Sequence, residues 1–302
     1  MDPLVITPEI LQAIRGGLRT EFEDVFSGIE PVWDRIATEV PSTTSGNNYG
    51  WLADVPDVRE WIGERQIREL DEHAYRINNR LFESTVAVKR TSIEDGDLGS
   101  YTVRTRQIAD KAAKHPDKLV FEAVKAGFTS RCFDGQNFFD TDHPVGPDGK
   151  EESVSNFQNG AGEAWYLLDT TAPLKPFIFQ NRSPVEFDSL DGISNGSMPE
   201  HVFMKDQYVF GTRHRSNAGY GYWQLAFASK APLTAANLKA ARDAMQAYKS
   251  HSGETLGVMP NTLMVGIGNQ SAAKELIGAA KINDAYNEFK DAFELIVAPQ
   301  LN

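Results

Sequence analysis

The chain has 302 residues, of which 41% are hydrophobic and 24% charged, enough to bury a full core in two domains or one elaborated domain. Its formal net charge of −12 argues against a surface that binds nucleic acid by neutralising phosphates. The single cysteine, Cys132, excludes an intrachain disulfide and a cysteine-based metal cluster, and we expect it to be small, buried and inert. No N-terminal leader pattern and no apolar run approaching the ~18 residues of a bilayer span is present, so we expect synthesis in the cytoplasm.

The first predicted element is a helix over residues 8–27, with Thr7 as its cap and Pro8 in its first turn. Its apolar residues recur at helical spacing: Ile10, Ile14, Leu18, Phe22 and Phe26. Such a stripe either docks on the chain's own core or lies as an arm on a neighbouring subunit. The pattern alone does not separate these two alternatives.

A charged segment follows the polar connector 41–48. Residues 59–90 contain 13 charged side chains, seven basic and six acidic. The segment has too few apolar residues to build its own core, so its expected location is the surface of another subunit. Period-two patterns in 75–78 and 82–89, joined by the turn-prone Asn78 and Asn79, predict an elongated hairpin.

The candidate inter-subunit residues come from this segment and from the first helix. They are Arg59, Glu60, Trp61, Glu64, Arg65, Ile67, Arg68, Glu69, Tyr75, Phe82, Ile14, Leu18 and Phe22.

The next predicted element is a helix over 101–127 that Pro116 must kink or restart, because proline lacks a backbone donor. Short apolar runs then predict strands at 165–168, 177–179, 202–204, 208–210 and 223–227. Further helices are predicted at about 234–249 and 270–281, with a strand at 262–265 between them. A closing strand at 293–297 is predicted to pair back into a sheet.

The best catalytic candidate is the cluster Asp140, Asp142 and His143, because two carboxylates and an imidazole can bind a divalent metal. It would make the chain a metal-dependent hydrolase. Pro144 instead favours a turn in which both carboxylates bond to nearby backbone amides, and no second cluster completes a site. The motif Gly266-x-Gly268 lacks the third glycine of a dinucleotide loop, so no cofactor is predicted.

Several runs closely resemble the Mu-like bacteriophage major head subunits, in order along nearly the whole chain. They are residues 49–52 (YGWL), 59–65 (REWIGER), 93–96 (IEDG), 115–121 (HPDKLVF), 134–145 (DGQNFFDTDHPV), 165–169 (WYLLD), 175–180 (KPFIFQ) and 219–226 (GYGYWQLA).

The resemblance implies an α+β fold of the Hong Kong 97 type, the fold of tailed-phage major capsid proteins. Strands 165–227 belong either to the axial domain or to an inserted module. The implied parts are an N-terminal arm 1–52, an E-loop hairpin 53–92, a peripheral domain 93–160 with a spine helix at about 101–127, an axial domain 161–288, and a closing strand of the peripheral domain at 289–302.

The function implied by the resemblance is structural and not enzymatic. Copies of the chain would assemble through hexamers and pentamers, in the cytoplasm of a bacterial host, into the icosahedral head of a virion around double-stranded DNA. A separate scaffolding protein and protease, a portal and packaged DNA held without specific binding are the implied partners; a decoration protein is left open and no membrane is involved. A DNA-binding head protein, such as a portal or completion factor, is the third class considered, and the charge of −12 disfavours it.

Overall fold

The computed structural model describes residues 6–53, 75–146, 150–189, 200–282 and 284–302. Within these ranges the helices are α1 Pro8–Ser27, α2 Arg90–Glu94, α3 Gly99–Ala113, α4 His115–Ala126, α5 Glu200–Lys205, α6 Ala235–Gln246 and α7 Gln270–Gly278. The strands are β1 Ala37–Pro41, β2 Gly46–Asn48, β3 Arg76–Asn78, β4 Arg80–Lys89, β5 His143–Val145, β6 Glu152–Val154, β7 Phe157–Gln158, β8 Trp165–Leu168, β9 Phe177–Ser189, β10 Gln207–Tyr220, β11 Ala226–Ser229, β12 Thr262–Val265, β13 Lys281–Ile282, β14 Ala285–Tyr286 and β15 Glu294–Val297.

The chain divides into two compact units, and each unit is discontinuous in sequence. The first unit consists of Met1–Pro31, Asn79–Asp117 and Asn181–Asn217, and the second of Val32–Asn78, Lys118–Gln180 and Ala218–Asn302. The domains predicted from sequence are almost all continuous segments, so their boundaries do not coincide with those of the units. Their assignment as arm, E-loop, peripheral and axial domains stays a prediction.

Helix α1 packs on α3 in the first unit. The hydroxyl of Thr7 accepts a hydrogen bond from the amide of Ile10 at 3.4 Å, so the predicted cap is confirmed. Phe22 stacks on Phe187 of β9 with ring centroids 5.0 Å apart. The apolar stripe of α1 therefore docks on the chain's own core, which is one of the two alternatives.

This packing corrects the candidate inter-subunit set. Leu18 and Phe22 are only 6% and 3% exposed, and Ile14 is partly buried against the same core. A side chain that its own chain covers has almost no surface left for a neighbour. We therefore remove Leu18 and Phe22 from the candidate interface.

The prediction of a hairpin over residues 75–89 is wrong. β3 pairs with β2, whereas β4 pairs antiparallel with β10, from Lys89 opposite Gln207 to Arg80 opposite Ser216. Only Asn79 separates β3 from β4, and the two strands belong to different units. β4 needs a partner that brings Val86 and Val88 into the core of the first unit, and β10 supplies it.

A five-stranded sheet forms the centre of the second unit, in the order β15-β12-β8-β11-β7. β12 runs parallel to β15 and antiparallel to β8, and every residue of β8, β11 and β12 is buried. The predicted strand 262–265 and the closing strand are confirmed. Residues 289–302 do not form a separate sheet from 161–288, however, because β15 pairs with β12.

The long helix predicted over 101–127 consists of two helices, α3 and α4, separated at Lys114. Pro116 is the second residue of α4, where the missing backbone donor has no intrahelical partner to lose. The predicted restart of the helix is confirmed. No helix in the described part of the chain is long and apolar enough to cross a membrane.

Two of the predicted short strands differ in the structure. Residues 202–204 lie in helix α5, with Val202 buried and Phe203 and Met204 exposed. Residues 223–225 form a single 3-10 turn before β11 begins at Ala226. A run of three to five apolar residues does not distinguish a strand from one face of a short helix.

Candidate assembly surface

The charged segment of the candidate interface, Arg59 to Glu69, lies outside the described residues. The structure does describe its base. β2 and β3 pair antiparallel from Gly46 opposite Asn78 to Asn48 opposite Arg76, and the amide of Tyr49 donates to the carbonyl of Tyr75 at 2.7 Å. The chain leaves this ladder after Tyr49 and returns to it at Tyr75, and we call the connecting residues loop 50–74.

The base of the loop is fixed to the second unit by tyrosines and one glutamine. The hydroxyl of Tyr75 accepts from the amide of Tyr220 at 2.7 Å, and the two rings stack. The hydroxyl of Tyr49 donates to the side-chain oxygen of Gln180 at 2.9 Å, and the amide of Gln180 donates to the carbonyl of Ile77 at 3.0 Å. Tyr75, predicted as an anchor for a neighbour, thus makes these contacts within its own chain.

Phe82 also contacts its own chain. Its ring lies 4.2 Å from that of His115 and 5.2 Å from that of His214, and the guanidinium of Arg80 is 5.0 Å from its centroid. Nε2 of His214 lies 3.2 Å from Nδ1 of His115, so one proton joins the two rings. These contacts make Phe82 part of an aromatic group in the first unit.

This histidine pair predicts a loss of stability in mild acid. Burial lowers the pKa of His214 below its usual value of 6.5. The unfolded chain then binds a proton at this histidine more readily than the folded one does. The contribution of neutral His214 to the free energy of unfolding is therefore fully present above about pH 6.5 and is lost as the pH falls below it. In urea titrations between pH 5 and 7, we expect His214→Gln to reduce the slope of the free energy of unfolding by up to about 1.4 kcal/mol per pH unit. An equal slope in the wild type and in His214→Gln would contradict this cause.

The candidate metal site of Asp140, Asp142 and His143 is not supported by the geometry. Asp140 accepts from the amide and side chain of Asn137 at 3.3 and 3.1 Å and from the amide of Thr141 at 2.7 Å, and Asp142 accepts from the hydroxyl of Ser153 at 2.6 Å. The ring of His143 is completely buried and bonds elsewhere. The two carboxylates therefore bond within a local turn, as Pro144 favoured, although Asp142 accepts from a side-chain hydroxyl and not from a backbone amide.

His143 belongs instead to a buried cluster with Cys132 and Asp134. The thiol of Cys132 donates to Oδ1 of Asp134 at 3.0 Å, and Nδ1 of His143 lies 2.6 Å from Oδ2. Burial opposes ionisation of Asp134, but the hydrogen bond and charge of His143 hold its pKa below the usual value. Cys132 is buried, as expected, and burial raises the pKa of its thiol, which disfavours the reactive thiolate.

These three side chains do not fit a metal ion, although their ligand atoms lie within 4.8 Å of one another. An ion bound at ~2.0–2.3 Å from each ligand holds the ligands more than ~3 Å apart. The direct bonds of 2.6 and 3.0 Å leave no space for one. The cluster is a hydrogen-bonded part of the core.

Asn156 completes this cluster. Its side-chain oxygen accepts from the amide of Asp140 at 2.9 Å and from Nε2 of His143 at 3.1 Å. Its side-chain nitrogen faces the carbonyls of Phe138, Trp223 and Ala226 at 2.8, 3.4 and 3.2 Å. Asn156 therefore ties the segment around the turn to the start of β11. Sequence reasoning missed this residue.

The glycine turn before α7 does not receive a phosphate. A Cβ atom at Gly266 or at Gly268 would collide with the carboxylate of Glu163. The amide of Ile267 donates to the side-chain oxygen of Asn302 at 2.8 Å. The glycines thus make room for a carboxylate of the same chain.

With this geometry established, comparison with known proteins identifies the family. The family model of the Mu-like prophage major head subunit gpT matches residues 11–301. The chain belongs to this family of Mu-like major head subunits. It is 36% identical to the major capsid protein of Escherichia phage Mu, over 99% of this chain and all of that one.

Solved structures of a phage procapsid and capsid agree with this identification. A chain of the procapsid of bacteriophage JBD30 is 41% identical, covers 98% of this chain and all of its own, and superposes with a TM-score of 0.84. A chain of the JBD30 capsid is 32% identical over 99% of this chain and all of its own, with a TM-score of 0.76. The Hong Kong 97-type α+β capsid fold is therefore confirmed.

The head subunit is a structural protein of the virion, the major capsid protein of a tailed phage. The family is not enzymatic, and the metal-dependent hydrolase centred on Asp140, Asp142 and His143 is unsupported both by the family and by the geometry. The match along the whole chain to major capsid proteins also excludes a portal or completion factor.

Proposed function

We propose that this head subunit assembles through hexamers and pentamers into an icosahedral shell around double-stranded DNA, and that loop 50–74 is its main contact with neighbouring copies. The observation that carries the proposal is the closed base of this loop. Tyr49 and Tyr75 are joined by a backbone hydrogen bond, and Tyr75 is bonded to Tyr220 of the second unit, so the charged sequence of loop 50–74 starts and ends at a fixed point of the subunit.

The charged residues of loop 50–74 would determine how neighbouring subunits align more than how tightly they bind. Charge pairs from residues such as Arg59, Glu64 and Glu69 contribute only ~0–1 kcal/mol each when exposed, but they disfavour wrong partners. The apolar side chains of Trp61 and Ile67 would contribute most of the buried area. Because each weak contact is repeated at every interface of a closed shell, their free energies together stabilise the shell.

We further propose the partners that a filling head requires. A separate scaffolding protein and a protease would act during assembly, and a portal would occupy one vertex. The net charge of −12 supports packaging without specific DNA binding, because a strongly basic inner surface would hold the DNA and impede filling.

The proposal is tested by expressing the head subunit alone and together with a scaffolding protein of the same phage. We expect closed shells with five-fold and six-fold capsomers in negative-stain images, and a matching fast boundary in sedimentation velocity. A subunit that stays monomeric at every concentration tested, with and without the scaffolding protein, would contradict the proposal.

The shells are expected to be held together without covalent links. The first lysine of the chain is Lys89, and all eight basic residues before it are arginines, so loop 50–74 offers no side-chain amine for an isopeptide bond. Arginine instead forms bidentate ion pairs with carboxylates. Boiled shells should run on a denaturing gel as a single band at 33.5 kDa. A ladder of covalent multimers would show this expectation to be wrong.

A further inference from the structure

The outer edge of β4 is unpaired in the described part of the chain. β4 has ten residues and is the last strand of its sheet, with β10 on one side only. Its register with β10 continues without interruption from Arg80 to Lys89. A ten-residue antiparallel strand directs the backbone groups of every second residue away from its partner.

Two hydrogen bonds show which residues direct their amides outward. The amide of Arg90 donates to the carbonyl of Asp206 at 3.0 Å, on the side of β10. The amide of Lys89 donates to the hydroxyl of Tyr101 at 3.4 Å, away from β10. Because direction alternates along a strand, the outward amides in the rest of β4 belong to Leu81, Glu83, Thr85 and Ala87.

Between Leu81 and Ala87 this edge has few of the devices that usually prevent strand pairing. Natural edge strands are short, are bent by a bulge, carry proline or charged residues, or are covered by a helix. Helix α3 covers this edge at Lys89, through Tyr101, and from Leu81 to Ala87 the strand has no proline, no glycine and one charged residue, Glu83. Leu81 is 61% exposed, whereas Val86 and Val88 on the other face are buried. The outward amides and the open face therefore belong to the same residues.

We propose that the outer edge of β4 receives an extended strand from a second copy of the head subunit. Strand addition joins proteins through backbone hydrogen bonds and needs a free edge of this kind. The occupant is a second copy because each head subunit is surrounded by copies of itself in the shell, and the inference rests on that proposed assembly. An open strand edge promotes aggregation of a monomeric protein, but it provides a binding surface in a protein that must bind its own copies.

Thr85→Pro tests the pairing, with Thr85→Ala as its matched control. The hydroxyl of Thr85 donates to the carboxylate of Glu83 at 2.6 Å, and both variants lose this bond. Only proline also removes the outward amide, and proline is tolerated at strand edges. We expect Thr85→Ala to form shells as the wild type does. We expect Thr85→Pro to stay folded by circular dichroism while its shell yield falls at least about tenfold.

Hydrogen–deuterium exchange supplies a second measurement that does not depend on the folding of the proline variant. In wild-type shells the amides of Leu81, Glu83, Thr85 and Ala87 should exchange more slowly than in dissociated subunits. Equal exchange rates in shells and subunits, or normal shells from Thr85→Pro, would overturn the strand pairing while leaving the assembly itself intact. Failure of the wild type to form shells would overturn the proposed function, and the pairing with it.

Discussion

Replacing Asn156 by alanine is expected to lower the free energy of unfolding of the second unit by about 3–5 kcal/mol. The side-chain amide of Asn156 is buried and satisfies five groups, including the amide of Asp140 and Nε2 of His143. Alanine would take this partner from the amide of Asp140, from Nε2 of His143 and from the carbonyl of Phe138, and each buried group left unsatisfied would cost its desolvation energy. The carbonyl of Trp223 would keep the amide of Ala226.

The stacking of His143 on Trp223 increases this expected loss. The two rings lie 4.0 Å apart and are inclined by 13°, and the position of His143 is set by Asp134 on one ring nitrogen and by Asn156 on the other. Loss of Asn156 would therefore disturb the packing of a buried tryptophan as well as the hydrogen bonds.

Urea unfolding of dissociated subunits, followed by tryptophan fluorescence, measures this effect. Asn159→Ala is the control, since it removes the same side chain three residues away at an exposed position. Exposed substitutions of this kind usually change stability by less than about 0.5 kcal/mol. A loss below about 1 kcal/mol for Asn156→Ala would show that the cluster is not a stabilising centre.

The cluster could not be predicted from sequence because its parts are joined across long separations. Asp140, Asp142 and His143 stand together in the sequence and suggest a metal site, but their neighbours in space decide their role. The buried partners of His143 are Asp134, Asn156 and Trp223. Nothing in a lone asparagine between short strands distinguishes a buried hydrogen-bonding centre from an exposed turn residue.

Elements with strong local signals were predicted well. Helix α1 has both a cap, Thr7, and an apolar stripe at helical spacing, and its bounds agree with the prediction. Strand β12 is a run of four buried residues and also agrees. The pairing of β4 failed because its partner β10 lies more than a hundred residues away, and a nearby turn at Asn79 suggested a local partner instead. Pairing depends on the face that must be buried, and only the folded core determines that face.

Reversing Arg65 and Arg68 to glutamate is expected to leave a folded subunit that forms no shells. The double substitution takes the formal net charge from −12 to −16 and places both changes in loop 50–74. Where an arginine pairs with a carboxylate of a neighbouring subunit, the substituted glutamate would face that carboxylate with the same charge. Placing like charges opposite each other in an interface costs several kcal/mol. The cost recurs at every contact of a closed shell, so a modest penalty per subunit is sufficient to prevent closure.

The matched control for this variant is Arg65→Lys with Arg68→Lys, which keeps the charge and removes only the bidentate geometry. It should still form shells, with a higher subunit concentration needed for assembly. Circular dichroism and thermal unfolding of the glutamate variant should match the wild type, because its base at Tyr49 and Tyr75 is unchanged. Normal shells from the glutamate variant in sedimentation and negative-stain images would remove loop 50–74 from the interface. If neither the glutamate variant nor the lysine variant forms shells, then assembly depends on the bidentate geometry of the arginine side chains and not on their charge alone.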